Sequence, residues 1–252
     1  MRRTFVQQNI WHLKSQIINP KSKIYLIPTF LHEEGLQVLP SYILEAATNC
    51  TVFFVENERS ARRYLKQLNK QIVIDDYEWF TIGKAEESVL QQFRQKVKEE
   101  KTIGIISEAG CPGVADPGQL LIAAAQEMSV EVAPLVGPSS ILLALMASGM
   151  NGQQFSFVGY LPIDNQQRMK AIKDLETESK KKNSTQIFIE TPYRNNQLLE
   201  TILKTCQPQT KICVAANLTG PDEFIKTKTV GQWKKETIDL HKKPVIFLLH
   251  TV

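Results

Sequence analysis

The sequence predicts an α/β protein built of two domains. Short apolar runs alternate with helical patterns through the first 150 residues. These runs are almost wholly apolar instead of half polar, which implies a parallel sheet covered on both faces. After Gly149-Met150-Asn151-Gly152, where Gly and Asn interrupt the pattern, the alternation resumes with a different texture.

In chain order, Ile24-Tyr25-Leu26-Ile27 reads as a strand stopped by Pro28, and Val52-Phe53-Phe54-Val55 as a second. Between them Leu36, Leu39, Ile43, Leu44 and Ala47 recur at helical spacing. Ile72-Val73-Ile74 and Ile103-Gly104-Ile105-Ile106 read as further strands. The latter follows a charged helix, Glu86 to Lys101, with Val89, Leu90, Phe93 and Val97 on one face. A helix over Leu120 to Met128 and a strand Val130-Glu131-Val132-Ala133 come next. In the second half, strands are expected at Phe155–Val158, Gln186–Ile189, Ile212–Ala215 and Val245–Leu249, with helices near Gln166–Lys180 and Asn195–Cys206.

With 252 residues, 42% hydrophobic and 22% charged, the chain buries an adequate core without disulfides or metals, and disorder and fibrous folds are excluded. Its four cysteines, Cys50, Cys111, Cys206 and Cys213, form no C-x-x-C pair, which argues for reduced thiols in a cytoplasmic protein. The N-terminus lacks the apolar stretch of a signal peptide. No apolar run approaches the roughly 20 residues of a membrane span. The net charge of +4 is uneven: residues 1–150 hold 15 Lys+Arg against 16 Asp+Glu, and residues 151–252 hold 15 against 10. The basic half, with Lys180-Lys181-Lys182 and Lys242-Lys243, suits an anionic partner such as RNA.

Familiar catalytic signatures fail at single positions. Gly113 to Gly118 has P-loop spacing, but Gln119-Leu120 replaces the Lys and hydroxyl that grip phosphate and magnesium. His32-Glu33-Glu34-Gly35-Leu36 lacks the second histidine of a zinc helix, so no metal site is expected. No G-x-G-x-x-G occurs. What remains is Gly- and Pro-dense loops at strand ends. Ser107 to Gly118 follows one strand. Pro134-Leu135-Val136-Gly137-Pro138-Ser139-Ser140 follows another and opens a helix with a hydroxyl at its N-cap. In an open parallel sheet, ligands bind where such loops converge. Backbone amides at 110–114, hydroxyls at 139–140 and few charges favour a largely neutral, amphipathic ligand.

These two loops and Gly159-Tyr160-Leu161-Pro162 resemble the tetrapyrrole methylase superfamily of S-adenosylmethionine-dependent methyltransferases. Within it they look most like the branch that methylates a ribose 2′-hydroxyl of small-subunit ribosomal RNA. Glu56-Asn57-Glu58-Arg59 stands where that branch has Glu-Asp-Thr-Arg, Ile189-Glu190-Thr191-Pro192-Tyr193-Arg194 where it has Tyr-Glu-Ser-Pro-His-Arg, and Ala216-Asn217-Leu218-Thr219 where it has Arg-Glu-Leu-Thr. The similarity runs over about residues 23–252. It implies an N-terminal parallel-sheet domain over 23–148 and a C-terminal mixed-sheet domain over 149–252. Residues 1–22 form an N-terminal extension outside the resemblance. It further implies S-adenosylmethionine in the cleft between the domains, and a homodimer. The cofactor contacts carried over are Pro28, Gly110, Cys111, Val114, Ser139, Ser140, Glu190, Ala216, Pro244 and Val245. Cys111 replaces a Thr and is read as a packed thiol, not a nucleophile. Substrate-side candidates are Glu56, Arg59, Tyr193 and Arg194.

The family loop Pro-Thr-Pro-Ile-Gly-Asn-Leu after the first strand is replaced here by Pro28-Thr29-Phe30-Leu31-His32-Glu33-Glu34. A tetrapyrrole or other small-molecule acceptor is therefore the alternative to ribosomal RNA. Methyl transfer from a sulfonium is an in-line displacement, so holding the reactants collinear is the larger contribution, with a base assisting a hydroxyl acceptor.

Overall fold

The computed structural model describes residues 22–83 and 86–251. It contains two five-stranded sheets, each packed against helices, and the chain divides into two compact units.

The first sheet is parallel throughout, in the order β3-β2-β4-β1-β5. Its strands are β1 (Lys23–Ile27), β2 (Val52–Val55), β3 (Glu78–Thr81), β4 (Ile103–Ile106) and β5 (Glu131–Pro134). The crossovers carry helices α1 (Tyr42–Thr48), α2 (Glu58–Leu68), α3 (Glu86–Lys98) and α4 (Gln119–Glu127). Every residue of β2 and β4 is buried, as a strand covered on both faces requires. On one face Ile24, Val52, Phe54, Ile103 and Ile105 meet Val89, Phe93 and Val97 of α3 and Leu121, Ala124 and Ala125 of α4. Gly104 lets the sheet close at its centre: a Cβ there would lie 2.6 Å from the Phe53 ring.

The second sheet is mixed, in the order β6-β7-β10-β8-β9, with β6 (Phe155–Tyr160) parallel to β7 (Thr185–Ile189) and the remaining pairs antiparallel. Strands β8 (Lys211–Ala216), β9 (Phe224–Thr229) and β10 (Val245–His250) complete it. Helices α6 (Asn165–Lys182), α7 (Asn195–Thr205) and α8 (Val230–Trp233) pack on one face through Ile172, Leu198, Ile202 and Trp233. Helix α5 (Ser140–Ser148) covers the other, where Ile141, Ala144 and Leu145 meet Ile187, Cys213, Ala215 and Leu248.

Several expectations are corrected. The helical spacing from Leu36 to Ala47 does not give one helix: Pro40 has no amide hydrogen and holds Leu39 extended (ψ 132°), so a 3₁₀ turn at Leu36–Val38 precedes α1. Ile72-Val73-Ile74 is not a strand. Val73 is 54% exposed, and Ile74–Asp76 forms a 3₁₀ turn. The edge position goes to β3, whose Trp79 and Phe80 stack on Phe53 and Phe54 with centroids 5.0 and 4.8 Å apart. Strand β9 and helix α8 carry no expectation, because Lys226 and Lys228 break the apolar run of an edge strand.

The unit boundary also moves. One unit runs to Thr29 and resumes over Pro40–Val136, and the other takes Phe30–Leu39 and everything from Gly137. Helix α5 thus belongs with the second unit, four residues deep in its core, and not with a domain ending at 148. The proposed extension over 1–22 lies outside the described residues except for Ser22. Among the described residues no helix is long and apolar enough to cross a membrane.

Candidate functional site

In the first unit the candidate residues gather at the carboxyl ends of β1, β2 and β4. Pro28 is buried where β1 stops, and its carbonyl accepts a hydrogen bond from the buried Tyr64 hydroxyl at 2.7 Å. Next to it the Thr29 amide donates to the Gly110 carbonyl (2.9 Å) and its hydroxyl to the Ser107 carbonyl (3.3 Å), tying the end of β1 to the loop after β4. Within that loop Gly110, Gly113 and Gly118 have φ of 73°, 79° and 115°, values that cost glycine little. Ala115, at φ 61°, adopts the left-handed region without that freedom, a local strain of the kind found at ligand-binding loops. Val114 is 49% exposed, leaving an apolar surface beside these peptides.

Glu56 joins this loop from β2. Its Oε2 accepts the Glu108 amide at 3.0 Å, and the Ser60 hydroxyl donates to Glu108 Oε1 at 3.1 Å. Asn57, not Glu56, caps α2, taking the amides of Arg59 and Ser60. Arg59 is exposed, and the ion pair on this helix is Arg62 with Glu58 at 2.5 Å, so no Glu56–Arg59 pair forms. Asp116 completes a group of three carboxyls, and sequence reasoning did not nominate it. Burial, reinforced by the charges of Glu56 and Glu108 and opposed by the Ser107 hydroxyl, pushes it up to about 6. The signal was present in the sequence only as an acid followed by Pro117-Gly118, which turn chemistry explains equally well. Burial and the Asp116 charge also raise the Cys111 thiol, which fits packing and not nucleophilic attack.

In the second unit four loops meet at one end of the sheet. Registers place Tyr160 opposite Ile189, Ile189 opposite Ile246, and Val245 opposite Ala216, which itself faces Phe224. The segments following β6, β7 and β8 and preceding β10 are therefore neighbours. Glu190 lies here with its side chain 1% exposed. Its Oε1 takes Arg194 Nη2 (2.6 Å), Arg194 Nε (3.0 Å) and the Thr191 amide (2.7 Å). Its Oε2 is buried and has no partner among the described residues. Arg194 thus positions Glu190. Tyr193, by contrast, is 69% exposed, its ring edge-on to His241.

Ala216 and Val245 are buried, so they present main chain and not side chain, while Pro244 is exposed and its carbonyl accepts the Asn217 amide at 3.1 Å. Asn217 (φ 51°) and Thr219 (φ 67°) are both left-handed, and a β-branched residue in that region is an outlier held by its surroundings. The Thr219 amide is fixed by Glu223 Oε2 at 2.8 Å. The altered segment after β1 packs here too, with the His32 ring so close to Gly220 that a Cβ would meet it at 2.7 Å. Ser139 caps α5 by backbone alone, its side chain making no capping hydrogen bond, and Ser140 opens the helix.

Each unit offers its own groups: the first an exposed apolar Val114 beside a glycine loop that permits close approach, the second a buried Glu190 oxygen that has no partner among the described residues and calls for a donor such as an amine. Taken separately, each set fits a part of S-adenosylmethionine, an apolar edge for Val114 and the amine for Glu190.

The chain is similar to known methyltransferases. The profile of the tetrapyrrole (corrin/porphyrin) methylases matches residues 43–233. The ribosomal RNA small subunit methyltransferase I of Vibrio cholerae is 28% identical over 233 residues, covering 90% of this chain and 76% of that protein. Its counterpart in Escherichia coli O157:H7 is 26% identical, covering 92% and 78%. The crystal structure of the methyltransferase CobJ shares the fold, with a TM-score of 0.61 at 16% identity over 92% of this chain and 94% of that one.

Proposed function

The chain belongs to the tetrapyrrole (corrin/porphyrin) methylase family and is a methyltransferase, and we propose that it transfers the methyl group of S-adenosylmethionine to a ribose 2′-hydroxyl of small-subunit ribosomal RNA. The observation that carries this reading is the likeness, over nine-tenths of the chain, to proteins named for ribosomal RNA methylation.

S-adenosylmethionine, when bound, supplies a methyl group already activated for displacement. Pro28, Gly110, Cys111, Val114, Ser139, Ser140, Glu190, Ala216, Pro244 and Val245 are the residues proposed to hold it, Glu190 through its unpartnered oxygen. Arg194 keeps Glu190 oriented. Asp116, at about 6, is ionised near neutral pH yet basic enough to receive a proton from a hydroxyl acceptor. Glu56 keeps that loop in place through the Glu108 amide. Tyr193 and Arg59 are exposed and suited to face the acceptor. Fixing the acceptor accounts for several of the roughly 7–11 kcal/mol available from positioning.

The chain is proposed to work as a homodimer in the cell interior. Leu142 and Met146, 51% and 79% exposed on α5, are apolar side chains that such an interface would cover. The test is transfer of labelled methyl to extract from cells lacking the protein. Label in small-subunit ribosomal RNA supports the reading, and label confined to the RNA-depleted fraction overturns it in favour of a small-molecule acceptor.

A further inference from the structure

The two lysine runs of the second half sit at opposite ends of the second unit's sheet. Lys242 and Lys243 precede β10 at the loop end, where Glu33, Glu34, Asp222, Glu223 and Asp239 more than offset them. Lys180, Lys181 and Lys182 close α6 at the far end. There Asn183 touches His250 (3.2 Å), His250 pairs across to Lys211, Lys211 pairs to Thr229, and Thr229 caps the helix that Lys234 and Lys235 terminate. A continuous edge follows, drawn from α6, β8 and α8. Lys182 is paired with Glu178 and Lys228 with Glu236. Lys180, Lys181, Lys211, Lys234 and Lys235 are exposed and enter no ion pair among the described residues.

We propose that this lysine edge is a docking surface for the phosphate backbone of folded RNA, at the end of the second unit's sheet opposite that unit's strand-end loops. The proposal rests on the RNA reading above and adds where the RNA is held. Unpaired surface lysines lose little by exchanging solvent for phosphates and gain through counterion release, which makes binding salt-dependent. The five steps of β8 from Lys211 to Ala216 separate the two ends by about 17 Å at the rise of an antiparallel strand. A short oligonucleotide bound at the loops does not reach the lysines, so the preferred substrate is a structured RNA extending beyond the target nucleotide.

The test compares the wild-type chain, the K180Q/K181Q/K211Q/K234Q/K235Q variant and a control, K70Q/K98Q, altered at exposed lysines of the first unit. The probes are an unmodified small-subunit ribosomal RNA transcript and labelled S-adenosylmethionine, with circular dichroism melts confirming equal folding. The five-lysine variant is expected to bind the transcript at least about tenfold more weakly, with a salt slope reduced by roughly 3 units. Its kcat at saturating RNA and its S-adenosylmethionine affinity should match wild type. Unchanged transcript affinity and slope in this variant, or equal loss in the control, would overturn the docking surface and leave the RNA reading standing. A wild-type chain that neither binds nor methylates RNA removes both.

Discussion

The guanidinium of Arg194 closes on a single oxygen of Glu190, with Nη2 and Nε 2.6 and 3.0 Å from Oε1, while the buried Oε2 has no partner among the described residues. One half of the carboxylate is fixed and the other is kept available. Arg194→Ala leaves a buried charge unpaired. We expect about 2–3 kcal/mol of destabilisation, below that of a fully buried pair because the arginine side chain is 31% exposed. Glu190→Gln added to it should restore much of the stability but not the affinity for S-adenosylmethionine. Urea unfolding and equilibrium dialysis separate the two effects.

Asp116 makes stability and rate respond oppositely to pH. Its folded pKa of about 6 lies above the ordinary 3.8, so between those values the native state keeps a proton that the unfolded chain has released. Its contribution to stability therefore falls as pH rises from about 4 to about 6 and is level above that. Asp116→Asn should remove this fall and leave the protein about 1 kcal/mol more stable at pH 7, after discounting for its half-exposed position. The rise in kcat through pH 6 should vanish in the same variant. Denaturation midpoints and a pH–rate profile check both.

Gly104→Ala is expected to destabilise the first unit by about 1–3 kcal/mol, because the new Cβ would stand 2.6 Å from the Phe53 ring at the centre of the sheet. Phe53→Leu combined with it should cost less than the sum of the two single changes. A double-mutant cycle in urea measures that coupling.

Cys111→Ser should preserve methyl transfer within a few fold, since burial and Asp116 hold the thiol protonated. Cys50 and Cys206, pushed up to about 12 by burial, should resist iodoacetamide at pH 7 until the chain unfolds. Mass spectrometry of labelled peptides reads this directly. Rapid modification of Cys50 in the folded protein would contradict the packing described here.

The alternation of apolar strands with helices, the parallel first sheet and the identity of the strand-end loops were legible in the sequence. Each depends on local periodicity or on glycine and proline, whose backbone limits act within a few residues. Gly110 was nominated in this way, whereas Pro28 and Glu190 were nominated through the family resemblance. Asp116 was not, because its proton affinity comes from burial and from Glu56 and Glu108, which lie 60 and 8 positions away in the chain. Arg194 was expected on the substrate side, and its hold on Glu190 is a further role that only the tertiary structure shows. The edge strand likewise went to Glu78–Thr81 over Ile72–Ile74, since stacking on Phe53 and Phe54 exists only once β2 is in place. Net charge was a sequence property, but its division between an acidic loop end and a free lysine edge was decided by strand register, which no local pattern encodes.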